Sequence, residues 1–92
     1  MKKFIIERTI PGLGNLSGEE LKAISQASCA TVRKLGVPYH WIQSFVTNDK
    51  LFCIHISESE EMVREHARLG NFPIDSITEV KTIIDPATGA TY

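Results

Sequence analysis

Tyr39-His40-Trp41-Ile42-Gln43-Ser44-Phe45-Val46-Thr47-Asn48-Asp49-Lys50-Leu51-Phe52-Cys53-Ile54-His55-Ile56 carries two stretches that alternate between apolar and polar residues. Such alternation is the period of a strand with one buried face, so Tyr39 to Thr47 and Leu51 to Ile56 both read as strands. Asn48-Asp49 between them tolerates positive φ and marks a hairpin. An antiparallel pair in the middle of a 92-residue chain leaves the flanks to decide the fold.

Upstream, Lys3 to Thr9 reads as a strand and Pro11-Gly12-Leu13-Gly14-Asn15 as a turn cluster. Ser17 with Glu20 is a capping box that opens a helix to about Leu35. Leu21, Ile24, Ser28, Thr31, Val32 and Leu35 share one face of it, and Gly36 is the expected stop. Downstream, Ser57 with Glu60 suggests a second capping box and a helix through about Leu69, ended by Gly70 and Pro73. Ile77 to Ile84 is the last expected strand, closed by Asp85-Pro86, with 85–92 a loosely held tail. The order β-α-β-β-α-β is the split βαβ pattern. It predicts an α+β, ferredoxin-like domain spanning 1–92, a four-stranded antiparallel sheet with two helices on one face.

Only one sheet face is then covered, and the composition of the other becomes diagnostic. The hairpin register sorts the residues, since a slip of one inverts every side chain. A two-residue loop would group Phe52, Ile54 and Ile56 with Trp41 and Phe45. A three-residue or bulged loop would group Cys53 and His55 with them instead. The second arrangement is the expected one, because it sets aliphatic Ile42, Val46, Phe52 and Ile54 under the helices. Trp41, Gln43 and Phe45 would then share the open face with Glu7, Cys53, His55, Glu79 and Lys81. Such a face, aromatic yet polar, predicts a homodimer whose sheets pack as a dimeric α/β barrel around a cavity lined by Trp41, Gln43, Phe45 and Lys81.

Bulk properties narrow the function classes. Apolar residues make up 42% and charged residues 23%, with a formal net charge of -1, values of an ordinary globular chain. No basic tract or zinc-finger spacing points to nucleic acid. No apolar stretch approaches the roughly 20 residues of a membrane span, and no cleavage site follows Met1–Ile6, so a cytoplasmic protein is expected. Cys29 and Cys53 are expected to be free, mostly buried thiols.

The residues resemble the small bacterial DUF4242 family. The likeness rests on Glu7-Arg8-Thr9-Ile10-Pro11-Gly12, Ser28-Cys29, the run Trp41 to Lys50, Cys53, Arg64-Glu65-His66-Ala67, Gly70-Asn71-Phe72-Pro73 and Glu79-Val80. It covers nearly the whole chain. It implies a ferredoxin-like dimeric barrel, in a family often labelled nickel-responsive or nickel-binding, with no established catalytic mechanism. Glu7, Cys53, His66 and Glu79 carry over as pattern positions. His55 departs from the pattern, and Leu13 to Leu16 lengthens the first turn.

Read as chemistry, Glu7, His55 and Glu79 with Cys53 nearby form an oxygen, nitrogen and sulfur set suited to nickel or another divalent transition metal. His66, on the apolar side of the second helix, faces away from Glu7, so one ion does not take both. In the blander alternative Glu7 pairs with Lys81 or Arg8, and His66 is a buried ring bonded to backbone or to a hydroxyl such as Ser44. Cys53 is then a structural thiol and His40 a surface residue. A third possibility is a cofactor-free barrel enzyme or small-molecule sensor, with a carboxylate or histidine of the cavity as general base. It rests on analogy of fold alone.

Overall fold

The computed structural model describes residues 1–90. Strand β1 (Lys2–Thr9) leads through a 3-10 turn (Leu13–Asn15) to helix α1 (Gly18–Leu35). The hairpin β2 (Tyr39–Val46) and β3 (Lys50–Ser57) follows, then α2 (Glu60–Gly70) and β4 (Ser76–Val80). A second 3-10 turn covers Pro86–Gly89. The sheet order is β2-β3-β1-β4, all neighbours antiparallel, with β1 and β3 central as the split βαβ pattern requires. The last two residues of the expected tail lie outside the described residues.

The first capping box forms as expected: the Ser17 hydroxyl accepts from Glu20 N at 3.1 Å while the Glu20 carboxylate accepts from Ser17 N at 3.2 Å. Gly36, at φ 65, ends α1. The second helix starts two residues later than the Ser57–Glu60 box predicts. Ser59 is its N-cap, accepting from Met62 N at 3.3 Å, while Ser57 closes β3 and turns its hydroxyl to Ser59 O. Its stop also differs. Gly70 is still helical, and Asn71 takes the left-handed conformation at φ 57. Glycine is required at 70 for room, because a Cβ there would run into the Phe72 ring.

The hairpin closes with two residues between Thr47 and Lys50, held by Thr47 N donating to Lys50 O at 2.9 Å. Neither Asn48 nor Asp49 uses positive φ. The turn is instead clasped by the Thr47 hydroxyl and by the 10–14 loop, where Gly12 N donates to the Asp49 carboxylate and Gly14 N to Asn48 O. The irregularity lies inside β2. Trp41 pairs with His55 and Gln43 with Ile54, so Ile42 is an extra, unpaired residue.

The two-residue loop, rather than the bulge, inverts the expected sorting of side chains on β3. Phe45 faces Phe52 across the hairpin and Ser44 faces Cys53. Cys53 and His55 therefore lie under the helices with Phe4 and Ile6, and Phe52, Ile54 and Ile56 take the open face. N-terminal to the bulge the alternation switches phase, so Trp41 also turns to the helix side, where Ser44 accepts its indole N–H. Buried Phe4, Ile6, Leu13, Tyr39, Leu51, Cys53 and Val63 form the core, with Leu21, Ile24, Val32 and Ile77 packed around them. The expected fourth strand stops at Val80, opposite Lys3, because β1 begins at Lys2 and offers no further partner. Ile83 and Ile84 are left exposed.

Candidate functional site

The period of two in β1 points Phe4, Ile6 and Arg8 toward the helices, which buries an arginine at 3% exposure. Its Nη1 donates to Pro73 O at 2.7 Å, and its guanidinium lies 5.5 Å from the centre of the Phe72 ring. Among the described residues no carboxylate pairs with it. A desolvated charge without a counter-ion is costly, so the chain must gain from holding it there.

Four rings converge beside Arg8. His66, from the buried face of α2, is stacked between Tyr39 and Phe72 with centroid separations of 5.0 and 5.4 Å. His55 of β3 stands edge-on to His66 at 5.1 Å. Burial, then His66, then Arg8 push the His55 pKa down to about 3, and His66 is lowered chiefly by burial. Both imidazoles are neutral at pH 7. The Tyr39 phenol is held above its usual pKa by burial and donates to His55 Nδ1 at 2.5 Å, which leaves the His55 proton on Nε2. His66 Nε2 lies 3.4 Å from both Ser28 Oγ and Ser28 O, while its Nδ1 is buried and has no partner among the described residues.

These groups surround an internal cavity of about 30 Å³ between α1, α2 and the sheet. Arg8, Ser28, Cys53, His55 and His66 line it, with Trp41 and Ser44 on its β2 side. A second space of about 110 Å³ shares Ile24, Trp41, Ser44 and Leu51 with the first and continues past Leu13, Leu21 and Val46. The inner chamber thus sets the Arg8 charge among mainly apolar walls, and the outer one joins aliphatic side chains with Ser25, Ser44 and Trp41.

The expected metal set is dispersed by this arrangement. Glu7 stays on the open face, 3.5 Å from Lys50 rather than from Lys81 or Arg8. Glu79 lies at the β4 edge, opposite Phe4, between Lys2 at 4.0 Å and Lys81 at 2.9 Å, which hold its carboxylate below its usual pKa. Cys53, His55 and His66 are interior. No group of three or more His, Cys, Asp and Glu side chains suited to a metal ion forms among the described residues. The expected cavity lining divides in the same way: Gln43 and Phe45 face outward, Trp41 inward, and Lys81 projects past the strand end. His66 is bonded to Ser28 rather than Ser44. Cys29 is exposed, against expectation, while Cys53 is buried, and both are free.

Arg8, Tyr39, Ser28 and Phe72 were not among the expected site residues. The alternation Phe4, Ile6, Arg8 was the available signal for the arginine. The others depend on packing between elements distant in sequence.

No helix is long and apolar enough to cross a membrane among the described residues. The family model described as "Nickel responsive protein SCO4226-like" matches residues 4–80. Among solved structures, SCO4226 from Streptomyces coelicolor A3(2) is similar, with a TM-score of 0.72 and 22% identity over 89% of this chain and 99% of that one. At that identity the likeness shows the fold. None of the curated proteins matches.

Proposed function

This chain belongs to the SCO4226-like nickel responsive protein family, and from that premise we propose a homodimer that binds nickel or another divalent transition metal without catalysing a reaction. The family match over residues 4–80 is the observation that carries the metal reading. The DUF4242 resemblance points the same way. The interior chamber does not fit a resident cation. It offers two imidazoles and a thiol, no carboxylate, and an unneutralised guanidinium that would repel a divalent ion.

We therefore assign the metal to the exterior. Glu7 and His40 open onto the same bare sheet face, and Glu79 sits separately at the β4 edge. Support for the dimer comes from that face, where Ile5, Ile42, Phe45 and Ile54, with Ile83 and Ile84 from the chain beyond β4, line a groove of about 410 Å³. An apolar sheet face of this kind is stable in water when a second sheet covers it. Packing two such faces makes a dimeric α/β barrel and brings two copies of Glu7 and His40 to one seam.

Sedimentation and calorimetric titration with nickel test both parts. A dimer is expected, with Glu7→Ala and His40→Ala weakening nickel binding about tenfold or more and His66→Gln leaving it intact. Nickel binding that survives the two exterior changes but is lost in His66→Gln would move the metal inside. A protomer that stays single at working concentration would remove the seam.

A further inference from the structure

The paired chambers carry an inference independent of nickel. We propose that the interior of each protomer is a binding site for a small monocarboxylate with a short apolar tail, its carboxylate on Arg8 and its tail toward Leu21 and Val46.

The inner chamber holds a guanidinium and no carboxylate. Arg8 spends Nη1 on Pro73 O and has guanidinium N–H groups left for a carboxylate, its natural planar partner. His66 Nδ1 is buried, unpartnered, and belongs to a ring that lines the chamber. Its Nε2 faces the Ser28 carbonyl, which can only accept, so the ring proton rests on Nε2 and Nδ1 is left as an acceptor. Ser44 already accepts the Trp41 N–H, so its own proton is free to donate. A carboxylate would neutralise the buried arginine. Water alone would satisfy the nitrogen but leave the charge uncompensated.

The shape selects the rest of the ligand. About 30 Å³ admits a headgroup of few atoms, and the adjoining chamber of about 110 Å³ offers room for a tail. Leu13, Leu21, Ile24, Val46 and Leu51 line that space. A bare inorganic anion would leave it empty, whereas an aliphatic tail gains the free energy of leaving water. A cation is repelled by Arg8.

Trp41 stands between the chambers and is the sole tryptophan, so its fluorescence reports occupancy directly. With chelator present, the full chain is titrated with hexanoate, acetate, hexanol and hexylamine, following Trp41 emission and thermal midpoint. Hexanoate is expected to give a saturable emission change and a raised midpoint. Acetate should bind at least about tenfold more weakly, for want of the tail. Hexanol and hexylamine should give neither response. Arg8→Gln should weaken hexanoate about tenfold or more. Because that change alters a buried group, Leu21→Phe serves as the second variant: it narrows the outer chamber, and should abolish the preference for hexanoate over acetate while leaving acetate binding as it was. A wild-type protein that ignores hexanoate, answers hexanol equally, or keeps its preference in Leu21→Phe overturns the proposal. None of these outcomes depends on whether nickel binds.

Discussion

His55 ionises near pH 3 in the folded protein and near 6.5 when exposed, and that difference makes stability a function of acidity. Above about pH 6.5 the ring is neutral in both states, so the folded arrangement keeps its full advantage. As pH falls from 6.5 towards 3, the unfolded chain takes up a proton that the folded one refuses, and stability declines. His66, depressed in the same direction, adds to the effect. Urea unfolding at pH 7.5 and pH 4.5 should differ by on the order of a few kcal/mol, a gap that His55→Gln narrows. Tyr39→Phe removes the donor to His55 Nδ1 and should cost about 1–3 kcal/mol, read as a lower denaturation midpoint with unchanged slope. Gly70→Ala should cost about 1–3 kcal/mol, because the new methyl group displaces the Phe72 ring stacked on His66. At this scale the chain was only partly legible. The inward phase of Arg8 could be read from Phe4 and Ile6, but its partnership with Pro73 and Phe72 arises from segments 65 residues apart.

Among the elements, the β2–β3 hairpin has the largest consequence. Every strand and helix was legible to within a few residues, since the alternating runs and the Ser17 box are local signals. The facing of the hairpin was not, because the alternating runs read well with either loop length, and the extra residue at Ile42 that turns Trp41 inward leaves no local signal. A two-residue loop and a mid-strand bulge together sent Cys53, His55 and Trp41 inward. Deleting Ile42 should therefore destabilise the protein severely, by forcing either Trp41 and Tyr39 out of the core or Ser44 and Val46 out of register. Loss of a cooperative thermal transition would register this. Ser17→Ala, by contrast, removes only one cap and should cost about 1 kcal/mol.

For the whole molecule, the bare sheet face sets the expected behaviour. Ile42 and Phe45 are each 52% exposed and Ile5 38% exposed in the protomer, all on the side opposite the helices. Phe45→Glu should leave the protomer core untouched and shift sedimentation from dimer to monomer. It should also remove the dependence of the thermal midpoint on protein concentration that an obligate pair shows. The sidedness of the sheet was readable from the element order alone. The composition of its open side was not, because that followed from the loop length together with the bulge.

The two thiols differ in reach. A maleimide dye offered to the native protein meets Cys29 on the outside of α1 and finds Cys53 sealed beneath the sheet's helical cover. Labelling should thus stop at one equivalent, and the slow arrival of a second would clock how often the layer parts.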